Sequence, residues 1–458
     1  MIYLVSRHSE VSVAKLSARV RFGFGVGDLG GNMYFTLIGF YLMFYFTDVV
    51  RLPAGLAGVA FMIGKIWDAV TDPVTGYLSD RTVTRWGRRR PYMAIGAILL
   101  FGSMILMFST PEIANPTLLF IVMALLFCLL SLAYTLVNIP YAALLPELTN
   151  DFDQRTTLTG YRMSFAVVGT LIGAGAVLPL VNAFGGGDAG WLAMGAVTGF
   201  IMLSSAYGTI FSIKEPKREK AATGIGFLRT CIQVMGLRVF LKALLPWTLF
   251  ITGTSVIQGS LIYYFANIYG DEGLFQVAIL FLLVTSLVFI PVWVVLSKRL
   301  GKRTCYIIGM SIMSAGVLLF AFFGGAGRVA FAYILMVGAG VGLSTHYVMP
   351  HSILPDVVEY DAIRNGVRRE GIFSSLWTFS SKIGQAVALG VTGLTLELAG
   401  YVPDTTLAPR TLSAIRVLCG PIPVVFYAVG IAVLASYPIT RDYYHRMMNA
   451  RAIPDEGA

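Results

Sequence analysis

Charged side chains are scarce. They make up 13% of the 458 residues, against roughly 25% in ordinary soluble domains. That shortage excludes a string of two or three soluble domains. Residues for metal and redox chemistry are scarcer still: four cysteines (Cys128, Cys231, Cys305, Cys419) and four histidines. No Cys-x-x-Cys and no metal-ligand spacing occurs, so neither a disulfide nor a zinc site is expected. No nucleophile–base pair or phosphate-cradling loop is present, so the chain is not expected to be an enzyme. The first 19 residues carry Arg7, Lys15 and Arg19 but lack the apolar core and cleavage pattern of a signal peptide. They read as a short cytoplasmic lead-in.

What the chain has is apolar length. Hydrophobic residues reach 56% and mean hydropathy is +0.75. Long apolar runs, rather than short alternating segments, point to membrane-spanning helices and away from a β-barrel. The 49 glycines and 19 prolines fit, because such helices tolerate both better than soluble ones do. Windows of about twenty apolar residues predict twelve spans: 20–47, 55–79, 91–110, 116–144, 157–183, 191–213, 240–268, 273–297, 303–324, 328–350, 371–400 and 411–438.

The net charge of +10 invites a nucleic-acid reading, which its distribution removes. Arg81, Arg85, Arg88, Arg89 and Arg90 fall between spans 2 and 3. Lys214, Lys217, Arg218, Lys220, Arg229 and Arg238 fall between spans 6 and 7, and Lys298, Arg299, Lys302 and Arg303 between spans 8 and 9. Arg364, Arg368 and Arg369 follow span 10. The 1–2, 5–6 and 7–8 connections offer Arg51 alone. Alternate loops are basic, so both termini are expected in the cytoplasm, across a bacterial-type inner membrane.

One long internal polar stretch, 214–239, separates two sets of six spans. Short motifs recur in register across it. Thr135…Pro140 and Leu145-Pro146-Glu147 end span 4; Thr345…Pro350 and Leu354-Pro355-Asp356 end span 10. The expected plan is therefore a lead (1–19), a six-helix bundle (20–213), a linker (214–239), a second six-helix bundle (240–438) and a cytoplasmic tail (439–458).

The most informative run is Asp68-x3-Asp72-Pro73-x2-Gly76-x3-Asp80-Arg81-Thr82, followed by Trp86-Gly87-Arg88-x-Arg90-Pro91. Asp68 and Asp72 stack on one helix face. Two carboxylates at membrane depth survive by facing the bundle interior and sharing a cation or protons. In span 1, Asp28 and Asn32 make a second polar face among glycines that permit close packing.

That long run resembles the second helix and following loop of the glycoside–pentoside–hexuronide cation symporters, the branch of the major facilitator superfamily that includes melibiose permease. The resemblance extends from Phe22 to about Tyr444. It implies an all-α membrane protein with the major facilitator fold, twelve transmembrane helices in two pseudo-symmetric six-helix bundles around a cavity. It also implies transport by alternating access. By resemblance, Asp68, Thr71, Asp72 and Thr135 hold the coupling cation, Na+ or H+, and Lys382 neutralises the acids when the cation leaves. Asp28, Asn32, Asn138, Tyr134, Arg162 and Trp377 are the expected solute-binding residues. Asn32 and Asn138 stand where melibiose permease has aspartates, Ala142 where it has a tryptophan, and Thr71 where it has an asparagine. The aromatic platform for a sugar is then sought at Tyr34, Tyr134, Tyr141 or Trp377.

Charged residues at the basic end suit salt bridges that form in one state and break in the other. Asp80, Arg81, Arg88, Glu147, Arg155, Asp356, Arg368 and Arg369 are the expected gate. The expected function is symport of a glycoside, sugar or related polar solute, by a monomer, without nucleic acid or bound cofactor. A lysolipid symporter of the same branch is the alternative, and a non-transporting membrane receptor a further one.

Overall fold

A computed structural model describes residues 16–149, 152–215, 227–366 and 369–439, together with Tyr443 and Arg446. Among them there is helix and no strand. The first half of the chain forms α1 (Ala18–Phe44), α2 (Ala54–Arg81), α3 (Arg90–Met107), α4 (Pro116–Leu148), α5 (Phe152–Gly175), α6 (Val177–Ala183) and α7 (Gly187–Ser212). The second forms α8 (Phe227–Met235), α9 (Arg238–Tyr264), α10 (Gly273–Leu300), α11 (Lys302–Phe323), α12 (Val329–Asn365), α13 (Glu370–Leu398), α14 (Pro409–Cys419) and α15 (Pro421–Ala435).

Ten of these helical segments are long and apolar enough to cross a membrane, α14 and α15 counting as one. An eleventh is the pair Thr157–Gly175 and Val177–Ala183, bent by 50° at a break. The remaining expected span, α13, is 29 residues long but falls short on apolarity. Ser380, Ser381, Lys382 and Gln385 lower its hydropathy; Lys382 reaches Asp68 and Asp72 of the other half, whereas Ser380 meets Thr248 of α9.

The halves repeat in detail. Both α1 and α9 have 27 residues, and each runs on into a wider π-type turn, Tyr45–Val49 and Phe265–Tyr269. Both α2 and α10 have 28 residues with one interior proline, Pro73 and Pro291. Within the first half, α1 packs on α5 and α7, and α4 on α2 and α3; within the second, α12 packs on α10 and α11, and α9 on α13 and α15. The halves meet chiefly along α2 and α13, with α1 against α9 and α5 against α10. The α2–α13 crossing is backbone on backbone. A Cβ on Gly58 would lie 2.9 Å from Gly393 Cα, and one on Gly393 2.5 Å from the Ala54 carbonyl. Only glycine fits there.

Span 10 corrects the sequence expectation most. It was expected to end at 350, yet α12 continues to Asn365 with Pro350 and Pro355 inside it. Neighbouring helices can re-satisfy backbone groups that a proline frees, so the proline signal misplaced the end. The acids Asp356 and Asp361 therefore stand on a helix, not in a loop.

Candidate functional site

The α2–α13 seam carries the acids. Asp68 and Asp72 lie one turn apart on the buried face of α2. Lys382 reaches across from α13 with its Nζ 2.9 Å from Asp68 Oδ2 and bonded to Asp72 Oδ2. The two Oδ1 atoms meet the Thr135 hydroxyl of α4, at 2.9 Å from Asp68 and 3.0 Å from Asp72. That hydroxyl has one proton, so it donates to one carboxylate at a time. Four carboxylate oxygens are thus gathered around one ammonium and one hydroxyl. Thr71 is buried, but its hydroxyl donates to the Asp68 main-chain carbonyl at 3.3 Å.

A second lysine lies on the same stripe. Lys65 precedes Asp68 by three residues and Asp72 by seven, the spacing of one helix face. It is buried, and its Nζ lies 5.5 Å from the centre of the Phe35 ring. Neither residue was singled out from the sequence. The signal was available, because a charge in register with two acids inside an apolar run belongs to the same cluster.

A second polar group lies between α1, α4 and α5. Arg162 Nε donates to Asp28 Oδ2, and its Nη2 lies 3.3 Å from Oδ1. Tyr141 lies beneath the guanidinium, 5.0 Å from ring centre to Cζ. Its hydroxyl is 3.1 Å from Asp28 Oδ2 and 2.8 Å from the Phe24 carbonyl. Asn32 Nδ2 donates to the Asp28 carbonyl at 2.9 Å. Asn138 and Tyr134 border a small cavity with Gly27, Gly31 and Tyr141. Tyr34 stacks on Tyr134 with ring centres 4.1 Å apart. Tyr34 and Tyr141 are both buried, so neither offers a free ring face. Trp377 stands apart from this group. It is buried in an aromatic stack with Trp247, which also stacks on His346 and meets His351 edge-on, and its indole N–H has no partner. The half-exposed ring beside the seam is Phe35, at 41% exposure.

The two ends of the molecule differ. At the basic end, the ion pairs of Glu147, Asp356 and Asp361 each stay within one half of the chain. Glu147 holds Arg88 and Arg89, the latter at 2.7 Å. Arg89 also reaches Asp80 at 3.0 Å, and Arg81 lies over the Tyr77 ring at 4.0 Å. Glu215, absent from the expected gate, receives the Arg89 N–H at the start of α3 at 3.1 Å, where a carboxylate complements the helix dipole. It also explains Gly87. With φ at +108°, a Cβ there would lie 2.2 Å from Glu215 Oε2. Burial lowers the Arg89 pKa from its usual value, opposed by Glu147 and Asp80. In the second half, Asp356 pairs with Lys302 at 2.6 Å and Arg369 with Asp361 at 2.7 Å. The Arg155 side chain and Arg368 lie outside the described residues.

At the opposite end the halves are tied together. The Thr47 and Tyr263 hydroxyls are 2.6 Å apart, and Tyr401 donates to Asp48 at 2.6 Å. Arg51 pairs with Asp404, and the Gly55 N–H donates to Glu397 at 3.0 Å. Burial, and then the Asp48 carboxylate, push the Tyr401 phenol up from its usual pKa.

Two helical halves that touch along a few seams, closed at one end, with ion-paired acids between them, make a membrane transporter of the major facilitator fold. Sequence comparison makes the assignment specific: the chain matches the MFS/sugar transport protein family over residues 23–441 and belongs to it. The family is one of transporters, not enzymes. The isoprimeverose transporter of Lactiplantibacillus pentosus is 30% identical, over 92% of this chain and 88% of its own. A Danio rerio protein, sodium-dependent lysophosphatidylcholine symporter 1-A, is 26% identical over 93% of this chain and 87% of its own. Among solved structures, nucleoside transporter NupG superposes with a TM-score of 0.65 at 13% identity, over 94% of this chain and 99% of its own. At that identity the likeness concerns the fold.

Proposed function

We propose that this protein is a secondary active symporter that couples one monovalent cation, Na+ or H+, to a polar organic solute of the glycoside or sugar kind. The observation that carries the reading is Lys382 of α13 lodged between Asp68 and Asp72 of α2. The ammonium occupies the place of a cation, held by the oxygens a cation would use, and it does so across the seam between the halves. An arriving Na+ takes the Asp68, Asp72 and Thr135 oxygens and displaces Lys382; a proton achieves the same neutralisation on one carboxylate. Either event cuts a tie between α2 and α13, which links cation binding to the movement of one half against the other.

The solute binds beside this site, at Asp28, Asn32, Asn138, Tyr134 and Arg162. Asn can both donate to and accept from solute hydroxyls. Each ligand then tightens the other by the same factor. The basic end faces the cytoplasm of a bacterial-type inner membrane, so the arrangement described, tied at the far end, is the inward-facing one. The pairs at Asp80, Arg88, Glu147, Asp356 and Arg369 regroup between the halves when that end closes. The transporter works as a monomer. A lysolipid as solute is the second reading, favoured by the similarity to the lysophosphatidylcholine symporter.

The test is uptake into proteoliposomes under an imposed sodium or proton gradient, using solutes chosen by thermal-shift screening of sugars, uronides and lysolipids. Accumulation that ignores both gradients would remove the coupling, and absence of any flux would leave a receptor.

A further inference from the structure

The buried charges along the α2–α13 seam cancel before any cation arrives. Asp68 and Asp72 supply two negative charges, and Lys382 and Lys65 two positive ones. Asp28 and Arg162 balance each other. A coupling cation added to this set leaves one positive charge in excess, in surroundings where an unbalanced charge is strongly disfavoured.

Lys382 has oxygen partners, whereas Lys65 has none. It is 6% exposed, and among the described residues no carboxylate or other acceptor lies within bonding distance of it. The face of Phe35 lies 5.5 Å from its Nζ, and the Asp68 and Asp72 charges on the same stripe act on it through space without bonding it. Its side chain lines a pocket with Ser255 and Gln258 of α9, Gln385 of α13, and Phe35 and Gly39 of α1. The space is about 10 Å³, room for one oxygen-sized atom. An ammonium, two amides and a hydroxyl can all donate into it. The pocket also continues the polar face of α1, where Asp28, Asn32, Phe35 and Gly39 recur at the spacing of one helical stripe.

We infer that this pocket is an anion subsite, which receives one acidic oxygen of the transported solute. The solute is then an organic anion, and it enters together with the cation without a net change in buried charge. The inference rests on the symport reading and adds the charge of the solute and the residues that read it.

The test uses the purified full-length protein in sodium buffer and matched pairs that differ by one carboxylate: methyl β-D-glucuronide against methyl β-D-glucoside, and D-galacturonate against D-galactose. Sodium formate supplies a free small anion. The charged member of a pair should raise the melting temperature more than its neutral partner. Lys65→Gln should weaken binding of the charged member by about tenfold or more, the worth of a charge-assisted hydrogen bond, and leave the neutral member unchanged. Lys65→Arg should keep the preference. Should Lys65→Gln fail to fold, Gln258→Leu removes a donor without touching the charge and should weaken the charged member alone. Equal responses within each pair overturn the inference, as does no response to any charged member, or a charged preference that survives Lys65→Gln. Stabilisation by formate equal to that by the charged sugars places a free anion in the pocket and overturns the solute assignment. Gradient-driven uptake of the charged member that is equal in Lys65→Gln and in the unsubstituted protein removes the anion subsite while leaving symport intact.

Discussion

Lys382 and Asp72 are 310 positions apart in the chain and directly bonded in the fold. The contact joins the two halves at the depth where they must part company for the seam to reorganise. It is also an ion pair with 14% and 15% of its side chains exposed, so its members are far more costly apart than together.

That pairing makes the acids the place to break coupling. Asp68→Asn and Asp72→Asn should each abolish gradient-driven accumulation, because an amide cannot carry the charge that a cation balances. Counterflow without a gradient should persist, because the residues proposed to bind solute, on α1, α4 and α5, are untouched. The measurement is paired uptake in proteoliposomes, with and without the imposed gradient. Wild-type accumulation in both variants would make the acids structural.

The amides set up a different test. If Asn138 reads a solute hydroxyl, Asn138→Ala should weaken solute binding by about 1–3 kcal/mol, the cost of stranding a buried hydrogen-bonding partner. Cation binding should be unaffected, since Asn138 is not among the groups bonded to Asp68 or Asp72. Calorimetric titration of solute and of sodium separates the two. Unchanged solute affinity in both Asn138→Ala and Asn32→Ala would move the solute away from α1 and α4.

Much of this arrangement was legible in the sequence, for physical reasons that can be named. Asp68 and Asp72 betray themselves because acids inside an apolar run need partners. Thr135 carries no such local signal, since what brings it to the acids is tertiary packing, and only the family resemblance pointed to it; Lys382, a lone cation well inside span 11, needed a partner by the same rule, but only the resemblance placed it at the acids. Lys65 was missed although it shares the stripe of the acids, because attention to paired carboxylates passed over a cation in register with them. Gln258, Ser255 and Gln385 were out of reach of local patterns, for they matter only once α9 and α13 lie against α1 and α2. The end of α12 was misplaced because prolines usually stop helices in water, where no neighbouring helix replaces the lost bond.

Orientation is checked most simply from outside the cell. A cysteine placed at Thr84, in the Arg-rich connection between α2 and α3, should resist an impermeant thiol reagent applied to intact cells when the four natural cysteines have been replaced. Rapid labelling would turn the molecule over in the membrane, and the tied end would then face the cytoplasm.

The tied end offers the sharpest conformational prediction. Tyr401 donates to Asp48 and the Thr47 hydroxyl meets Tyr263, both at 2.6 Å, so two short contacts hold α1 and its following turn to the second half of the chain. Tyr401→Phe keeps the ring, which packs edge-on against Tyr263 at 5.2 Å, and deletes the bond to the carboxylate. Asp48 retains the Thr47 hydroxyl at 2.6 Å, so folding should survive. The tied end, the outer one in the proposed orientation, should lose about 1–3 kcal/mol, as expected when a buried acceptor forfeits a donor. Outward-open molecules should then become about five to a hundred times more abundant, since each 1.4 kcal/mol is a factor of ten. A cysteine at Ser255, buried behind this closure, reports the change. In the background without natural cysteines, an impermeant reagent added outside should label it correspondingly faster in Tyr401→Phe than with Tyr401 present. Equal labelling rates would mean that this hydrogen bond does not hold the tied end shut, and that the remaining ties there, Thr47–Tyr263, Arg51–Asp404 and Gly55–Glu397, do so without it.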